Sequence, residues 1–300
     1  MRGAAANAAN EVIEQSLQDA ARRVEKVFGA DFLAFVGPID VGVDDVVRDA
    51  IEQIDRRNPA RRLAVLVETE GGYIETVQRI VETLRHFYSH VEFIVPNYAM
   101  SAGTVLVLSG DAIYMDYYSI LGPIDPQVRR KDQFVPALGY LEQYKRLIQK
   151  SRENTLTDAE LSFLLEKFDP AELYRYEHAR DLSVSLLKEW LAKYKFKDWC
   201  VTETNRTAVT DQMRLLRAEE IATALNDVER WHSHARGIGM EALRTGLNLK
   251  IEDLEQDKKR AESIATFYHL FMDYSAKQGV VGAVYVTDKS GYRVFSQRSG

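Results

Sequence analysis

The apolar positions of this chain change period as one reads along it. Over residues 8–28, Val12, Ile13, Leu17, Ala20, Ala21, Val24 and Phe28 recur at helical spacing and predict an amphipathic helix whose stripe needs a partner surface. Phe32-Leu33-Ala34-Phe35-Val36 is then a short apolar run closed by Gly37-Pro38, the pattern of a buried strand. Val46, Val47, Ala50, Ile51 and Ile54 return to the helical period, and Leu63-Ala64-Val65-Leu66-Val67 is again a continuous apolar run. After Gly71-Gly72, a third helical stripe runs from Ile74 to Leu84. Val91–Val95 reads as a strand, residues 101–109 as a short helix and Ala112–Met115 as another strand. Strands that are apolar on both faces, alternating with helices over short connections, predict a parallel sheet covered on both sides.

Beyond about residue 128 the strand signal fades. Residues 140–150, 158–167, 171–195, 211–226 and 253–276 carry helical periodicity. Val280–Thr287 and Tyr292–Phe295 flank Asp288-Lys289-Ser290-Gly291 and predict a closing hairpin. Residues 128–135 and 196–210 are expected to be loops. The expected organisation is an N-terminal amphipathic helix (1–30), an α/β core (31–195) and a mainly helical C-terminal region (196–300) with the terminal hairpin.

Composition narrows the function classes. The 300 residues have a formal net charge of -6, and the short basic cluster Arg129-Arg130-Lys131 is closed off by Asp132. A nucleic-acid partner is therefore not expected. The one cysteine, Cys200, provides neither an intrachain disulfide nor a zinc cluster. No apolar run approaches the roughly 18 residues of a membrane span, and the N-terminal stretch has no signal-peptide core. The expectation is a cytoplasmic protein without a membrane partner. Phosphate-loop, simple dinucleotide and zincin motifs are missing from the sequence, so neither a cofactor nor a metal is expected.

Candidate chemistry lies at two strand-to-helix junctions, where open parallel sheets gather their sites. In Thr69-Glu70-Gly71-Gly72 the glycines either make a tight turn or let backbone N–H groups approach a ligand. In Asn97-Tyr98-Ala99-Met100-Ser101-Ala102-Gly103-Thr104, Ser101 stands at a helix start, either as a simple N-cap or as a nucleophile beside orphan amides and the positive end of the helix dipole. Consecutive parallel strands present their C-terminal ends side by side, so the glycines and Ser101 should face one another. A glycine amide opposite a helix-start serine suits acyl transfer.

The order Glu-Gly-Gly, then Tyr98-Ala99-Met100-Ser101-Ala102-Gly103-Thr104, then Leu121-Gly122-Pro123-Ile124-Asp125-Pro126-Gln127, resembles the serine dehydrogenase proteinase family. That family is related to signal peptide peptidase A and, more distantly, to the Clp protease subunits. Residues 32–128 carry the resemblance well and residues 136–250 weakly. It implies a Clp/crotonase-like parallel sheet with covering helices, followed by a mainly helical C-terminal region. It also implies a serine peptidase acting on polypeptide, with Ser101 as nucleophile and the amides of Gly72 and Ala102 as oxyanion hole. Gly71 and the segment Leu121, Gly122, Pro123 and Ile124 would line the substrate groove. Where the family usually has proline before the two glycines, this chain has Glu70.

For the general base, the position of the Clp triad histidine is occupied here by Ile124-Asp125-Pro126, which favours a Ser–Lys dyad. By the signal peptide peptidase A pattern, Lys145 is the best match, in Gln143-Tyr144-Lys145-Arg146 ahead of Arg152 and Thr157-Asp158-Ala159-Glu160; Lys150 is second. A lysine base needs burial to be held neutral, and a solvated helix lysine is the plain alternative. His178 is an alternative base or an ordinary helix-face histidine. Trp231-His232-Ser233-His234 resembles a late family element, with His234 a candidate wall residue. Two rival readings remain open: a crotonase-type acyl-CoA enzyme, and a catalytically inactive scaffold or peptide-binding protein. The surplus of apolar helix surface, together with the ring-forming habit of the relatives, predicts a homo-oligomer.

Overall fold

The computed structural model describes residues 2–54, 61–124, 127–130, 133–231, 237–287 and 291–298. Helix α1 (Arg2–Phe28) ends at Gly29, whose φ of 60° turns the chain into strand β1 (Asp31–Val36). There follow α2 (Val43–Gln53), β2 (Arg62–Glu68), α3 (Ile74–Phe87), β3 (His90–Val95), β4 (Tyr98–Ala99), α4 (Ala102–Leu108), β5 (Ala112–Met115) and β6 (Ile120–Leu121). This is the alternation that the hydrophobic pattern predicts.

β1, β2, β3 and β5 are parallel neighbours. Their residues alternate between two cores, as the two-residue period of a strand requires. Leu33, Phe35, Leu63, Val65 and Phe93 join α2, α3 and α4 on one face. Phe32, Ala34, Ala64, Leu66 and Ile94 join α1 on the other face, where Leu17, Ala21 and Val24 are buried.

The C-terminal half contributes to both faces. After β7 (Gln127–Arg130) and β8 (Gln133–Pro136) come α5 (Ala137–Arg152), α6 (Asp158–Lys167), α7 (Pro170–Trp190), α8 (Asp211–Asn226), α9 (Val228–Trp231), β9 (Ile238–Gly239) and β10 (Glu252–Asp253). Helix α10 (Lys258–Lys277) then packs along α1, burying Phe267 and Phe271 beneath the sheet. The final hairpin, β11 (Val280–Val286) and β12 (Tyr292–Gln297), extends the sheet from β1 with β11 antiparallel to it. The complete order is β10-β5-β3-β2-β1-β11-β12, a mixed α/β fold with a mostly parallel central sheet.

Three expectations shift in detail. Of residues 128–135, read as a loop, those described lie in strands β7 and β8, which pair antiparallel, Val128 with Val135 and Arg129 with Phe134. The strands are only four residues each, Gln-Val-Arg-Arg and Gln-Phe-Val-Pro, too short for a periodic pattern to mark them. The helix read as 171–195 is α-helical to Trp190 and then makes a π turn over Leu191–Lys195. The helix read from residue 253 starts at Lys258, because the Asp257 carboxylate accepts from the amides of Lys259 and Arg260.

The end of α7 joins the main core through Leu186, Leu187 and Trp190, packed against Ile221 and Leu225 of α8. The arm formed by α5, α6 and the start of α7 does not: its own core cluster has Leu141, Leu173 and Tyr176 as buried members. Helix α6 is capped at Thr157 and Glu160 but buries no residue. No helix among the described residues is long and apolar enough to cross a membrane.

Candidate active site

Strand ends meet in a row of short pairings beyond the main sheet. Ile39 bridges Gly72, Thr69 bridges Ala99, Ala99 pairs with Leu121, and Leu121 pairs with Ile238. This row carries the two sequence-predicted junctions into contact. A Cβ on Gly71 would lie 2.6 Å from the Met100 carbonyl oxygen, 2.9 Å from the Ser101 Cβ and 3.2 Å from the Ala102 nitrogen. Gly71 has φ of 98° and Gly72 of 153°. Gly72 is pressed against the Ile39 backbone so closely that an added Cβ would fall 2.2 Å from its carbonyl oxygen. A side chain on Gly71 would push the segment off the serine turn, and one on Gly72 would push it off Ile39.

Ser101 occupies the N-cap position of α4 but does not cap it, since its side chain accepts no helix amide. Its backbone adopts φ 53° and ψ −121°, a conformation that costs about 1–3 kcal/mol and persists only where surroundings enforce it. The enforcement is visible. The Met100 amide donates to the Thr69 carbonyl at 2.9 Å, and the Gly103 amide to the Met100 carbonyl at 2.8 Å. Ser101 is 7% exposed, and among the described residues nothing hydrogen-bonds its hydroxyl. The amides of Gly72 and Ala102 likewise have no acceptor among the described residues, whereas their neighbours do: the Gly71 amide donates to Thr69 Oγ1 and the Tyr73 amide to the Ile39 carbonyl. Two free N–H groups beside a strained, near-buried serine can hold a negative oxygen.

Two threonines that the sequence reading did not single out hold this geometry. Thr69 caps the Gly71 amide at 3.0 Å and packs its methyl toward Gly103. Thr104 is fully buried; its hydroxyl lies 2.8 Å from the Ala99 carbonyl and 2.9 Å from that of Gly122, and accepts the Gly122 amide at 3.0 Å. It ties the serine turn to the Leu121–Ile124 segment. The signal was present in the sequence, because Thr104 stands one helical turn from Ser101 and so faces the same way.

The remaining candidates are placed as follows. Leu121 and Ile124 are buried in the main core, and Gly122 lies under the Met100 side chain, where a Cβ would meet its Cε at 2.8 Å. Pro123 is also buried. Lys145 is exposed on α5. Lys150 is paired with Glu160 of α6, whose carboxyl that hydrogen bond holds down at about 2. His178 is exposed on α7, its ring edge-on to Tyr174 with centroids 4.8 Å apart. None of the three hydrogen-bonds the Ser101 hydroxyl. His234 lies outside the described residues.

Carboxylates border the site. Glu68, the last residue of β2, is buried and accepts from the Tyr268 hydroxyl of α10. Burial, that hydrogen bond and the Glu68 charge push the Tyr268 phenol up. Burial, then the charges of Glu68 and Glu70, raise Tyr98 as well. Both phenols are therefore neutral at any ordinary pH. Among the described residues no cluster of side chains is suited to hold a metal ion.

Comparison with known proteins agrees with this architecture. The family model of ClpP-like SDH-type serine proteinases matches residues 35–198, just over half of the chain, including both strand-to-helix junctions, Thr104 and the Leu121–Ile124 segment. Two curated relatives come from Methanocaldococcus jannaschii. The uncharacterized protein MJ1495 is 33% identical over 98 residues, covering 33% of this chain and 32% of its own length. The uncharacterized protein MJ0137 is 39% identical over 64 residues, covering 21% of this chain and 22% of its own. The chain thus spans about a third or less of the curated relatives it matches. Among solved structures, a ClpP1 mutant from Listeria monocytogenes aligns with a TM-score of 0.28 at 12% identity, over 34% of this chain and 61% of that one.

Proposed function

This chain belongs to the ClpP-like, SDH-type serine proteinase family, and from that membership we propose that it hydrolyses polypeptides through an acyl-enzyme on Ser101. The observation that carries the reading is a serine held at positive φ where the Gly71-Gly72 segment meets the start of α4, with the Gly72 and Ala102 amides free of acceptors among the described residues. The Ser101 hydroxyl attacks the peptide carbonyl and its proton passes to a base. The new C–O bond drives an electron pair onto the carbonyl oxygen, which the two amides hold. Collapse expels the amine, which takes the proton from the base, and leaves an ester on Ser101. Water, deprotonated by the same base, then releases the carboxylate and restores the serine.

The base in this proposal is Lys145, with Lys150 and His178 as alternatives. A lysine serves only where burial keeps it neutral, and Lys145 is exposed in the single chain. Self-association would bury it. The α5–α7 arm has the surface for that, exposing Phe163, Leu165 and Tyr174 over its minimal core. The active form is accordingly a homo-oligomer that encloses the site.

A fluorophosphonate probe tests the reading. Wild-type protein should be labelled, Ser101→Ala not at all, and Lys145→Ala at a strongly reduced rate that no longer rises with pH. Folding should survive Ser101→Ala, since no capping bond is lost. Coenzyme A binding without labelling would support the acyl-CoA alternative, and neither response the inactive scaffold.

A further inference from the structure

We propose that the mouth of the Ser101 cleft selects polypeptide segments with lysine or arginine beside the scissile bond. This rests on the serine-hydrolase reading and adds to it a substrate class.

Strands β5, β3, β2 and β1 lie side by side in that order, so the segments at their C-terminal ends form one continuous rim. These are residues 116–121, 96–101, 68–73 and 37–42, and not one of them is lysine or arginine. Asp40, Glu68, Glu70 and Asp116 supply negative charge instead, Asp40 and Glu70 exposed, Asp116 half-buried and Glu68 buried against Tyr268. Among the described residues, no cation pairs with Glu68 or Glu70. Asp116 accepts only from its own turn, from the amides of Tyr118 and Ser119 and from the Ser119 hydroxyl. Buried Asp111, Glu92 and Asp44 are each paired with a cation, Asp111 with Arg85 and Lys197, Glu92 with Arg62 and Asp44 with Arg79. Among the described residues, the rim carboxylates Glu68 and Glu70 thus differ from these three.

Aromatic surface accompanies it. Tyr117 is 79% exposed, Tyr118 65% and Tyr73 49%. Tyr73 directly follows the oxyanion glycines. Tyrosine faces next to carboxylates attract ammonium and guanidinium groups by their ring quadrupole and by charge. At the centre of the rim the Ser101 side chain, more than nine-tenths buried, has a hydroxyl engaged by nothing described, so the group that would meet a ligand is free.

Glu70 gives the selection a kinetic consequence. It adjoins Gly71-Gly72, and its negative charge opposes the charge that develops on the tetrahedral oxygen. A cationic substrate side chain beside Glu70 cancels that opposition when the oxyanion forms. The cation therefore speeds turnover as well as tightening binding.

The test uses the full chain and three fluorogenic peptides, identical except for Lys, Gln or Glu flanking the scissile bond. For wild type, kcat/KM should fall in that order across about tenfold or more, with part of the effect in kcat, and the spread should shrink in high salt. Glu70→Gln should narrow the spread and raise the rate for the Glu peptide. Equal or reversed rates in wild type, or a Lys preference untouched by Glu70→Gln, overturn the inference. Fluorophosphonate labelling of the same samples separates the failures. Labelled protein without charge preference refutes the rim alone, whereas unlabelled protein refutes the hydrolase reading and the rim with it.

Discussion

At the N-terminal ends of the parallel strands, the Asp111 carboxylate accepts from the Val91 amide at 2.8 Å, from Arg85 at 2.7 Å and from Lys197. Beside it, Glu92 is paired with Arg62 and lies 3.3 Å from His90, and the Arg85 guanidinium covers the Tyr194 ring at 3.7 Å. At the C-terminal ends of the same strands the arrangement is reversed. Among the described residues, the Gly72 and Ala102 amides have no acceptor, Ser101 holds a positive φ, and Glu68, which accepts from Tyr268, and Glu70 pair with no cation. Among the described residues, the first end pairs most of its charged groups with one another, with Glu92 Oε2 and Arg62 Nε left over, and the second leaves its amides and carboxylates without charged partners. Strain and unmatched charge persist at the second end because the first end and two apolar cores hold the strands in place.

That contrast predicts opposite responses to mutation. The largest effect on stability belongs to the paired end. Asp111→Ala leaves Arg85 and Lys197 without their buried partner and should cost about 3–5 kcal/mol in chemical denaturation, with labelling per folded molecule unchanged. The acid limb sharpens this. Burial pushes the Asp111 and Glu92 carboxyls up, but their cationic neighbours outweigh it and hold both below their ordinary values. Their contribution is thus intact above about pH 4 and is lost as the pH falls through the folded-state values. Asp111→Ala should flatten that loss; an unchanged acid limb would mean that the network is incidental.

A smaller effect, of a different kind, is expected from Thr104→Val. Removing the hydroxyl takes away the donor shared by the Ala99 and Gly122 carbonyls, leaves the Gly122 amide bonded to the Ala99 carbonyl alone, and loosens the tie between the serine turn and Gly122. Stability should fall by about 1–3 kcal/mol. The labelling rate of the folded fraction should fall about tenfold, a displacement effect that a purely structural residue does not produce. Thr104→Ser should restore the rate. If valine labels as fast as threonine, the turn is held by its backbone bonds alone.

The sheet and the two junctions were legible because their signals are local. Apolar runs such as Leu63–Val67 and the breaks at Gly71-Gly72 and Ser101 each lie within a few residues. What was not legible depends on contacts between distant segments. Tyr268 reaches Glu68 across 200 residues, and Lys197 reaches Asp111 across 86. No pattern near residue 111 announces that its carboxylate is a buried hub. The β7–β8 pair was missed because each strand is only four residues long and carries no periodic pattern. The position of Lys145 relative to Ser101 stayed beyond sequence reasoning for a related reason: α5 belongs to an arm whose packing, at Leu141, Leu173 and Tyr176, is nearly independent of the main core.

The most direct test of the central claim is a crystal structure of the protein after reaction with a fluorophosphonate. The account predicts phosphorus bonded to Ser101 Oγ, with the phosphonyl oxygen about 3 Å from both the Gly72 and Ala102 nitrogens. An adduct on another residue, or a phosphonyl oxygen turned to solvent with both amides still unbonded, would contradict it.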